Sequence, residues 1–417
     1  MVNKKLKILA YMDSPSVATG FATVARNVLM GLHATGKYEI IVAGINYWGF
    51  PHPYPFPIYP VGINNNNDPY GREFVSRMMV EEQYDILFTI QDTFILEFMG
   101  QLIDQIRASK PGVKWVTYFP IDGTPKRPWL DAMRKADIAV TYTEWAKEEC
   151  LRVLPTMGDL RVVPHGVNVR DFFPVPKGEN VEFRNSYFTG MQGKFLVLNV
   201  NRNQQRKDIP RSMVAFKKFQ EKHPDSFYYI HAAVCDHGWE LDKVAAELGL
   251  ELNKDVGFPI NFGPNQGFPT EIVNRIYNAS DVVISTTTGE GWGLAQVEAM
   301  ACCKPVISPD NTACTEIVGE DRGYLVPSGA KHSPNLVTVL SHDNEVLRSL
   351  TDIDGLVDAM CQVYENPAEA SKRALAAYKW VTTELRWDKH VVPKWVEIFD
   401  EVAAGPAKTG TVATLDL

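Results

Sequence analysis

The sequence has little cysteine, no surplus of positive charge and no long apolar run. Six cysteines at irregular positions among 417 residues do not form a disulfide framework, and they indicate a reducing compartment. The net charge of −8 excludes a protein held on nucleic acid by bulk charge, although it allows a local basic groove. Asp13 interrupts the first apolar run too early for a signal-peptide core. No segment reaches the ~18 uninterrupted apolar residues that span a bilayer, so we expect a soluble, cytoplasmic protein.

A dinucleotide-binding fingerprint is also missing. Gly20 follows the first apolar run, but the pattern Gly-x-Gly-x-x-Gly does not occur there. This absence counts against an NAD-dependent dehydrogenase. A single glycine between a strand and a helix can still let a ligand approach the backbone closely.

Short apolar runs alternate with stretches of helical periodicity along most of the chain. This alternation predicts an α/β protein with parallel sheets that helices cover on both faces. The pattern restarts near residue 195, and a chain of this length favours two domains. The predicted strands are 6–12, 38–43, 86–90, 115–119, 138–142, 195–200, 228–234, 260–262, 282–285 and 305–308.

The predicted organisation has four parts. They are an N-terminal Rossmann-like domain (1–175), a C-terminal Rossmann-like domain (176–383), a helix (384–403) and a flexible tail (404–417). In the helix, Trp387, Val391, Trp395 and Phe399 recur at spacings of four. This spacing predicts an amphipathic helix whose aromatic stripe packs on protein.

The densest chemical signal is the segment 289–300, which follows a predicted strand and opens a predicted helix. Three glycines surround Glu290, and Glu298 lies further along the helix. Backbone amides at such a helix start face an anion or sugar hydroxyls, since glycine allows close approach. The alternative is a strand-to-helix turn with a solvated capping acid.

A second signal is the basic segment after the predicted strand 195–200, where Arg202, Arg206 and Lys207 fall within six residues. Ligands bind at the carboxyl ends of strands in parallel sheets. Arg and Lys stabilise a departing diphosphate through charge-assisted hydrogen bonds. The alternative is a solvated basic loop.

Residues 260–309, with Arg202 and Lys207, resemble family 4 of the retaining glycosyltransferases. Glu290 and Glu298 match that family's pair of glutamates separated by seven residues. The resemblance implies the GT-B fold, which has two facing Rossmann-like domains and a final helix that crosses back to the first. It also implies transfer of a sugar from a nucleotide diphosphate sugar, in our expectation a UDP-sugar, with retention at the anomeric carbon. No metal and no other cofactor is expected.

The same resemblance implies roles for the matched residues. Glu290 would contact the donor sugar as a catalytic residue, and Glu298 would hold the ribose. Arg202 and Lys207 would bind the diphosphate and take part in catalysis. The further donor-binding residues that we predict are Gly20, Gly263, Gly291, Trp292, Gly293 and Leu294.

The chain departs from the family where many members carry an active-site histidine in the first domain. Asp122 is the nearest polar residue there, and it would orient the acceptor hydroxyl or act as a weak base. The alternative is that Asp122 caps a turn before Gly123. In addition, Asp208 stands where glycine is common, Trp292 where phenylalanine is usual, and His165 where asparagine is usual.

The segments 199–211 and 118–129 also resemble glycosyltransferase-like proteins of large tailed bacteriophages. That resemblance implies, as the acceptor, a hydroxymethylated or hydroxylated pyrimidine in duplex DNA, modified in the host cytoplasm. Lys126 and Arg127 would contact phosphates and Trp129 would stack a base, unless they form a basic loop over a core tryptophan.

Other functions remain open at the sequence level. The acceptor could instead be a glycan, a lipid or a small molecule, although residues 74–110 lack the basic amphipathic stripe of membrane-attached relatives. A sugar-nucleotide epimerase and a non-catalytic sugar-nucleotide binding module are the alternatives from other classes.

Overall fold

The computed structural model describes residues 5–263, 266–329, 337–341 and 344–406. The chain forms two compact units. One comprises the residues up to His165 together with those from Trp387 onward, and the other runs from Gly166 to Arg386.

The first unit is built on a seven-stranded parallel sheet with the strand order β3-β2-β1-β4-β5-β6-β7. Its central strands are almost continuously apolar because helices bury both faces of the sheet. The strands are β1 (Leu6–Asp13), β2 (Tyr38–Ile45), β3 (Ile58–Pro60), β4 (Ile86–Ile90), β5 (Lys114–Tyr118), β6 (Ile138–Thr141) and β7 (Leu160–Val162). The helices are α1 (Gly20–Ala34), α2 (Arg72–Glu81), α3 (Thr93–Leu96), α4 (Met99–Ser109), α5 (Arg127–Met133) and α6 (Glu144–Val153).

The second unit repeats this architecture on a six-stranded parallel sheet with the order β10-β9-β8-β11-β12-β13. A separate antiparallel pair is formed by β14 and β15. The strands are β8 (Phe195–Val200), β9 (Ser226–His231), β10 (Val256–Gly257), β11 (Val282–Ile284), β12 (Val306–Pro309), β13 (Tyr324–Val326), β14 (Thr338–Leu340) and β15 (Leu347–Ser349). The helices are α7 (Lys177–Tyr187), α8 (Ile209–Lys222), α9 (Leu241–Glu247), α10 (Thr270–Ala279), α11 (Leu294–Ala301), α12 (Thr312–Val318), α13 (Ile353–Glu365) and α14 (Pro367–Glu384).

Both sheets reverse their strand order beside the first strand of the unit. The reversal lies between β1 and β4 in one sheet and between β8 and β11 in the other. At such a switch point the loops that leave the carboxyl ends of the two strands diverge and open a crevice for a ligand. The predicted two Rossmann-like α/β domains are confirmed, and each has its own switch point.

The last helical segment belongs to the first unit. A π-helical turn (Trp387–Val391) leads into α15 (Val392–Ala404). The Trp395 ring lies 4.7 Å from the Tyr118 ring and 5.3 Å from the Phe88 ring, measured between centroids. The predicted aromatic stripe is therefore confirmed as core packing. Most of the predicted tail, 407–417, lies outside the described residues.

The predicted strand 260–262 is wrong. Ile260 is 85% exposed and Asn261 has a φ of 53°, in the left-handed region, so the chain turns here. Strand pairing occurs earlier instead, at β10, where Val256 is fully buried beside β9. Among the helices of the described residues, none combines the length and apolar character that crossing a bilayer requires.

Candidate functional site

Two loops meet at the switch point of the second sheet. One follows β8 and contains a 3-10 turn (Gln205–Lys207), and the other follows β11 and leads into α11. The Thr286 hydroxyl donates a hydrogen bond to the carbonyl of Asp208 at 2.8 Å. The Thr288 backbone N–H donates to the carbonyl of Arg206 at 2.8 Å. These bonds hold the basic turn against the segment that carries Glu290.

Glu290 lies at the centre of this arrangement. Its side chain accepts from the Lys207 ammonium on one carboxylate oxygen and from the Arg206 guanidinium on the other, the latter at 3.1 Å. Its backbone N–H donates to the Thr312 hydroxyl at 2.9 Å. Glu290 is only 6% exposed, so the ion pairs are largely shielded from water.

The electrostatics of the cluster leave a surplus positive charge. Burial alone would raise the pKa of Glu290, but Lys207 and Arg206 outweigh it and lower the pKa to about 2. Burial also lowers the pKa of Lys207, and the attraction of Glu290 opposes that effect. The Lys207 ammonium and the Arg206 guanidinium both lie against the Glu290 carboxylate. Two cations around one carboxylate then leave a net attraction for an anion such as a diphosphate.

Glu298 occupies a different environment in α11. Its carboxylate accepts a hydrogen bond from the Tyr277 hydroxyl at 2.9 Å. Burial raises the pKa of Glu298 to about 7, although the Tyr277 hydrogen bond acts in the opposite direction. The two glutamates of the motif therefore differ, since Glu290 is ionised and Glu298 changes its protonation near neutral pH.

The glycine-rich loop brings the chain tightly into α11. Gly291 is buried and Trp292 is 5% exposed. Gly293 has a φ of 111°, and a Cβ there would lie 2.7 Å from the Gln296 side-chain oxygen. Only glycine fits this position without strain. Leu294 is the first residue of α11, so the amides around it have the orientation that favours an anion.

Asp208 shows why glycine suits this turn. Its φ of 43° and ψ of 46° lie in the left-handed region, which costs a non-glycine residue about 1–2 kcal/mol. An ion pair from Arg211 to the Asp208 carboxylate, at 2.7 Å, accompanies this conformation. The departure from the family pattern is therefore accommodated locally.

Arg202 lies apart from the Glu290 cluster. Its guanidinium forms a two-point ion pair with Asp236, at 2.6 and 3.2 Å, and its side chain is 38% exposed. Arg206, a member of the basic segment predicted to suit a diphosphate, contacts Glu290 together with Lys207. The sequence feature that could have identified Arg206 as a residue of the Glu290 cluster was its place next to Lys207 in the same basic segment.

Gly263 lies in the connection between β10 and α10. Its backbone N–H donates to the Gln266 side-chain oxygen at 2.9 Å. The adjacent Phe262 ring packs against His231 and Phe268, with ring centroids 5.2 and 5.1 Å away. The structure thus places Gly263 beside an aromatic cluster past the carboxyl end of β9.

In the first unit, Gly20 is exposed and is the first residue of α1. The preceding loop is fixed by Asp13, a buried carboxylate at the end of β1. Asp13 accepts from the Thr19 hydroxyl at 2.6 Å and from the Gln91 amide at 3.1 Å. The Thr19 hydroxyl in turn caps α1 by accepting from the Ala22 N–H. These polar residues lie at the switch point between β1 and β4, and the sequence reading did not identify Asp13, Thr19 or Gln91.

The residues predicted to bind the acceptor follow β5 in the first unit. Asp122 is half-buried at a bend, and Arg127, at the start of α5, has 71% of its side chain exposed. Trp129 is 8% exposed and packs on Phe94 at 6.0 Å between centroids, with the Lys126 ammonium 5.4 Å from its ring. This arrangement agrees with the alternative of a basic loop over a core tryptophan.

Exposed aromatic residues occur instead on the loop after β2. Trp48 is 64% exposed and Phe50 is 70% exposed. Prolines alternate with other residues from Pro51 to Pro57, which restricts the backbone of the loop. The Tyr54 hydroxyl donates to the Pro15 carbonyl at 2.8 Å and so fixes the loop to the connection before α1. In the sequence, the run of aromatic and proline residues was the signal that could have identified this loop as a candidate binding surface.

His165, the other departure from the family pattern, is a core residue. It is 4% exposed, and one ring nitrogen is 2.7 Å from the Tyr118 hydroxyl. Burial lowers the pKa of His165 to about 3. The imidazole is therefore neutral at physiological pH and has a packing role in the first unit.

A known protein family matches the segment of the chain that carries the candidate site. Residues 188–378 match the family described as Glycosyl transferases group 1. This segment covers most of the second unit and includes the Glu290 cluster, α11 and Glu298.

Two curated proteins show the level of sequence similarity. The alpha-maltose-1-phosphate synthase of Mycolicibacterium smegmatis is 21% identical over 280 residues, which are 66% of this chain and 66% of that protein. The GDP-mannose-dependent alpha-(1-6)-phosphatidylinositol dimannoside mannosyltransferase of Mycobacterium tuberculosis is 30% identical over 194 residues, 45% of this chain and 44% of that protein. The chain thus matches less than two thirds of the length of either relative.

Solved structures share the fold over nearly the whole chain. Sucrose-phosphate synthase from Thermosynechococcus elongatus has a TM-score of 0.72 at 18% identity, covering 96% of this chain and 100% of that chain. Anabaena HepE in complex with UDP-glucose has a TM-score of 0.70 at 16% identity, covering 95% and 100%. The chain therefore shares the GT-B fold of these structures, and its residues 188–378 match the Glycosyl transferases group 1 family.

Proposed function

We propose that this protein is a retaining glycosyltransferase that moves a sugar from a UDP-sugar to an acceptor hydroxyl without a metal ion. The observation that carries the proposal is the pairing of Lys207 and Arg206 with Glu290 at the switch point, beside the start of α11. The family match over this segment and the UDP-glucose complex of HepE agree with a nucleotide-sugar donor.

The proposed chemistry assigns a separate task to each group. Lys207 and Arg206 stabilise the negative charge that grows on the departing diphosphate, which removes the need for a metal. The amides at the start of α11 face the donor, and Glu290 orients the transferred sugar. Glu298 accepts hydrogen bonds from ribose hydroxyls. Arg202, which we also assign to the diphosphate, would contact it while it keeps its ion pair with Asp236.

In the reaction, the bond between the anomeric carbon and the diphosphate oxygen breaks. The acceptor oxygen bonds to the same face of that carbon, and the acceptor proton passes to the departing diphosphate. Asp122 in the first unit is our candidate for orienting the acceptor hydroxyl.

For the acceptor we propose a hydroxymethylated or hydroxylated pyrimidine in duplex DNA. Arg127 is exposed and Lys126 lies beside it, so both suit phosphate contacts. Trp48 and Phe50 present exposed rings on a loop at the same, carboxyl edge of the first sheet, and such rings can stack a base. These two residues replace the buried Trp129 as our candidates for base stacking.

The experiment measures nucleotide release from UDP-glucose, UDP-N-acetylglucosamine and GDP-mannose. Each donor is incubated with no acceptor, with hydroxymethylpyrimidine DNA, and with unmodified DNA. The mass of the DNA is then measured by mass spectrometry. A sugar-sized mass gain on modified DNA alone supports the full proposal. Donor hydrolysis or binding without DNA modification refutes the DNA acceptor and leaves the donor assignment. Conversion of the donor without transfer, seen by NMR, would identify an epimerase.

Two variants and one additive test the mechanism. Glu290→Gln should abolish transfer, whereas Glu251→Gln, a change of an exposed carboxylate in the same unit, should not. EDTA should leave the rate unchanged. The coupling constant of the product's anomeric proton reports retention or inversion.

A further inference from the structure

A second cluster of polar side chains lies in the second unit and is separate from the loops that carry Glu290. It comprises His223, Cys361 and Glu365, whose ligand atoms all lie within 4.8 Å of one another. Within the described ranges it is the one group of three or more His, Cys, Asp and Glu side chains with that spacing.

Two neighbouring helices bring these residues together. His223 directly follows α8, and Cys361 and Glu365 lie one turn apart on α13. Residues four apart share one face of a helix. Along the two helices, Arg211 contacts Thr351, Lys218 contacts Asp354, and His223 approaches Glu365, so α8 and α13 run in the same direction.

The cluster is far from the candidate donor site. α8 begins directly after Asp208, next to the Lys207 turn, and its 14 residues span about 21 Å. His223 is at the other end of this helix, shortly before β9 begins at Ser226. It therefore lies at the amino edge of the sheet, whereas Lys207 and Glu290 lie at the carboxyl edge.

The imidazole of His223 is held in place by its neighbours. Its ring lies 4.8 Å from the Phe219 ring and 4.1 Å from the Tyr364 ring, measured between centroids. The Tyr364 hydroxyl is itself fixed by a hydrogen bond to Asp225 at 2.8 Å. His223 Nε2 is buried, has no hydrogen-bond partner among the described residues, and lies 3.6 Å from a Glu365 carboxylate oxygen.

We propose that His223 Nε2, Cys361 Sγ and a Glu365 carboxylate oxygen bind one Zn²⁺ ion, with water as the fourth ligand. Ordinary Zn–S, Zn–N and Zn–O bond lengths in a tetrahedron separate the ligand atoms by about 3.4–3.6 Å. The His223 and Glu365 atoms, at 3.6 Å, are close to the ~3.4 Å expected for a nitrogen–oxygen pair, and the other separations, which are at most 4.8 Å, would shorten on binding. A thiolate with an imidazole favours zinc over magnesium or calcium, which prefer oxygen ligands.

The bound ion would join the end of α8 to α13. Because the folded chain would bind Zn²⁺ better than the unfolded chain does, the ion would stabilise the second unit by mass action. This role is independent of the proposed transfer reaction, which takes place at the opposite edge of the sheet.

The experiment uses the full chain, stripped with a chelator and titrated with Zn²⁺ by calorimetry. We expect one Zn²⁺ per chain and a rise in the melting temperature. With Co²⁺ as a spectroscopic probe, we expect the charge-transfer absorption of a cobalt–thiolate bond. Cys361→Ser should abolish that absorption and weaken Zn²⁺ binding at least about 100-fold, since even outer-shell changes around a metal cost 10–100-fold.

The matched control is Cys235→Ser, because Cys235 is an exposed cysteine of the same unit. It should keep the absorption and the affinity. Glu365→Gln changes a largely exposed residue and should weaken binding without disturbing the fold, which circular dichroism of the metal-free protein checks. The proposal is refuted if Cys361→Ser keeps the cobalt–thiolate absorption, if Cys235→Ser loses it, or if the wild-type protein binds no Zn²⁺.

Discussion

The buried carboxylate of Glu290 makes the stability of the second unit depend on pH in a calculable way. Its pKa is lowered from 4.5 to about 2 in the folded protein. At 1.36 kcal/mol per pKa unit, the ionised form stabilises the fold by roughly 3 kcal/mol relative to the protonated form. Because the folded pKa is the lower one, this stability is present above about pH 4.5 and is lost as the pH falls towards 2.

The perturbation is Glu290→Gln, which keeps the size of the side chain but removes its titration. At pH 6 the variant should be the less stable protein, because Lys207 and Arg206 then face an uncharged amide. Between pH 6 and pH 3, protonation of Glu290 lowers the unfolding free energy of the wild-type protein by about 2 kcal/mol. The variant loses nothing at this position, because an amide does not titrate in that range. The difference in unfolding free energy should therefore shrink by about 2 kcal/mol.

The assay is native-state hydrogen exchange read by mass spectrometry on peptides that cover β8 and β11, since it reports the local stability of the second unit. The matched control is Glu251→Gln, which removes an exposed ion pair with Lys254 and should leave the difference nearly independent of pH. If the difference in unfolding free energy between wild type and Glu290→Gln stays constant or grows on acidification, Glu290 is not an ionised, buried partner of Lys207 and Arg206.

Three further predictions concern the donor site and the core. Arg206→Ala should weaken UDP binding about 10- to 100-fold by calorimetry, because a charge-assisted hydrogen bond contributes about 1.5–3 kcal/mol; unchanged affinity would remove Arg206 from the site. UDP should bind about tenfold more tightly at pH 8 than at pH 6, since Glu298 has a pKa of about 7 and its ionised form accepts the ribose hydroxyls. Glu298→Gln should abolish that pH dependence, and a profile that is already flat in the wild type would contradict the assignment. Trp395→Ala should destabilise the first unit by about 3–5 kcal/mol in urea unfolding, because its side chain is fully buried, and a loss below about 1 kcal/mol would show that the site repacks.

The sequence predicts the interior of each sheet well, because interior strands are continuous apolar runs that can be read without knowing their neighbours. The ranges 86–90 and 195–200 coincide with β4 and β8. The sequence predicts the strands at the edges of the sheets poorly. β3 and β7 have three residues each, too few for a periodic signal. The error at 260–262 has the same origin, since an apolar residue between a proline and an asparagine gives no sign of whether it becomes buried.

The candidate site shows a similar division between what a sequence specifies and what it does not. Strand order at a switch point explains why the loops after β8 and β11 meet, and the alternation of strands and helices already indicates that arrangement. Which cation contacts Glu290 depends on side-chain direction, which the 3-10 turn (Gln205–Lys207) sets and which no periodicity reveals. Arg206 and Lys207 lie in or at the end of that turn and point to Glu290, whereas Arg202 precedes it and pairs with Asp236.

The pairing of Arg202 has an energetic consequence for donor binding. The Asp236 side chain is only 2% exposed, so moving Arg202 to a diphosphate would leave a buried carboxylate without its cation. Removing one partner of a fully buried ion pair costs about 3–5 kcal/mol; because the Arg202 side chain is 38% exposed, solvent screens this pair and the loss is smaller, but it still opposes a move of Arg202 away from Asp236. If Arg202 contacts the donor, we therefore expect it to do so while it keeps Asp236 as a partner. Asp236→Asn would then weaken UDP binding through Arg202, and unchanged affinity in that variant would leave Lys207 and Arg206 as the diphosphate ligands.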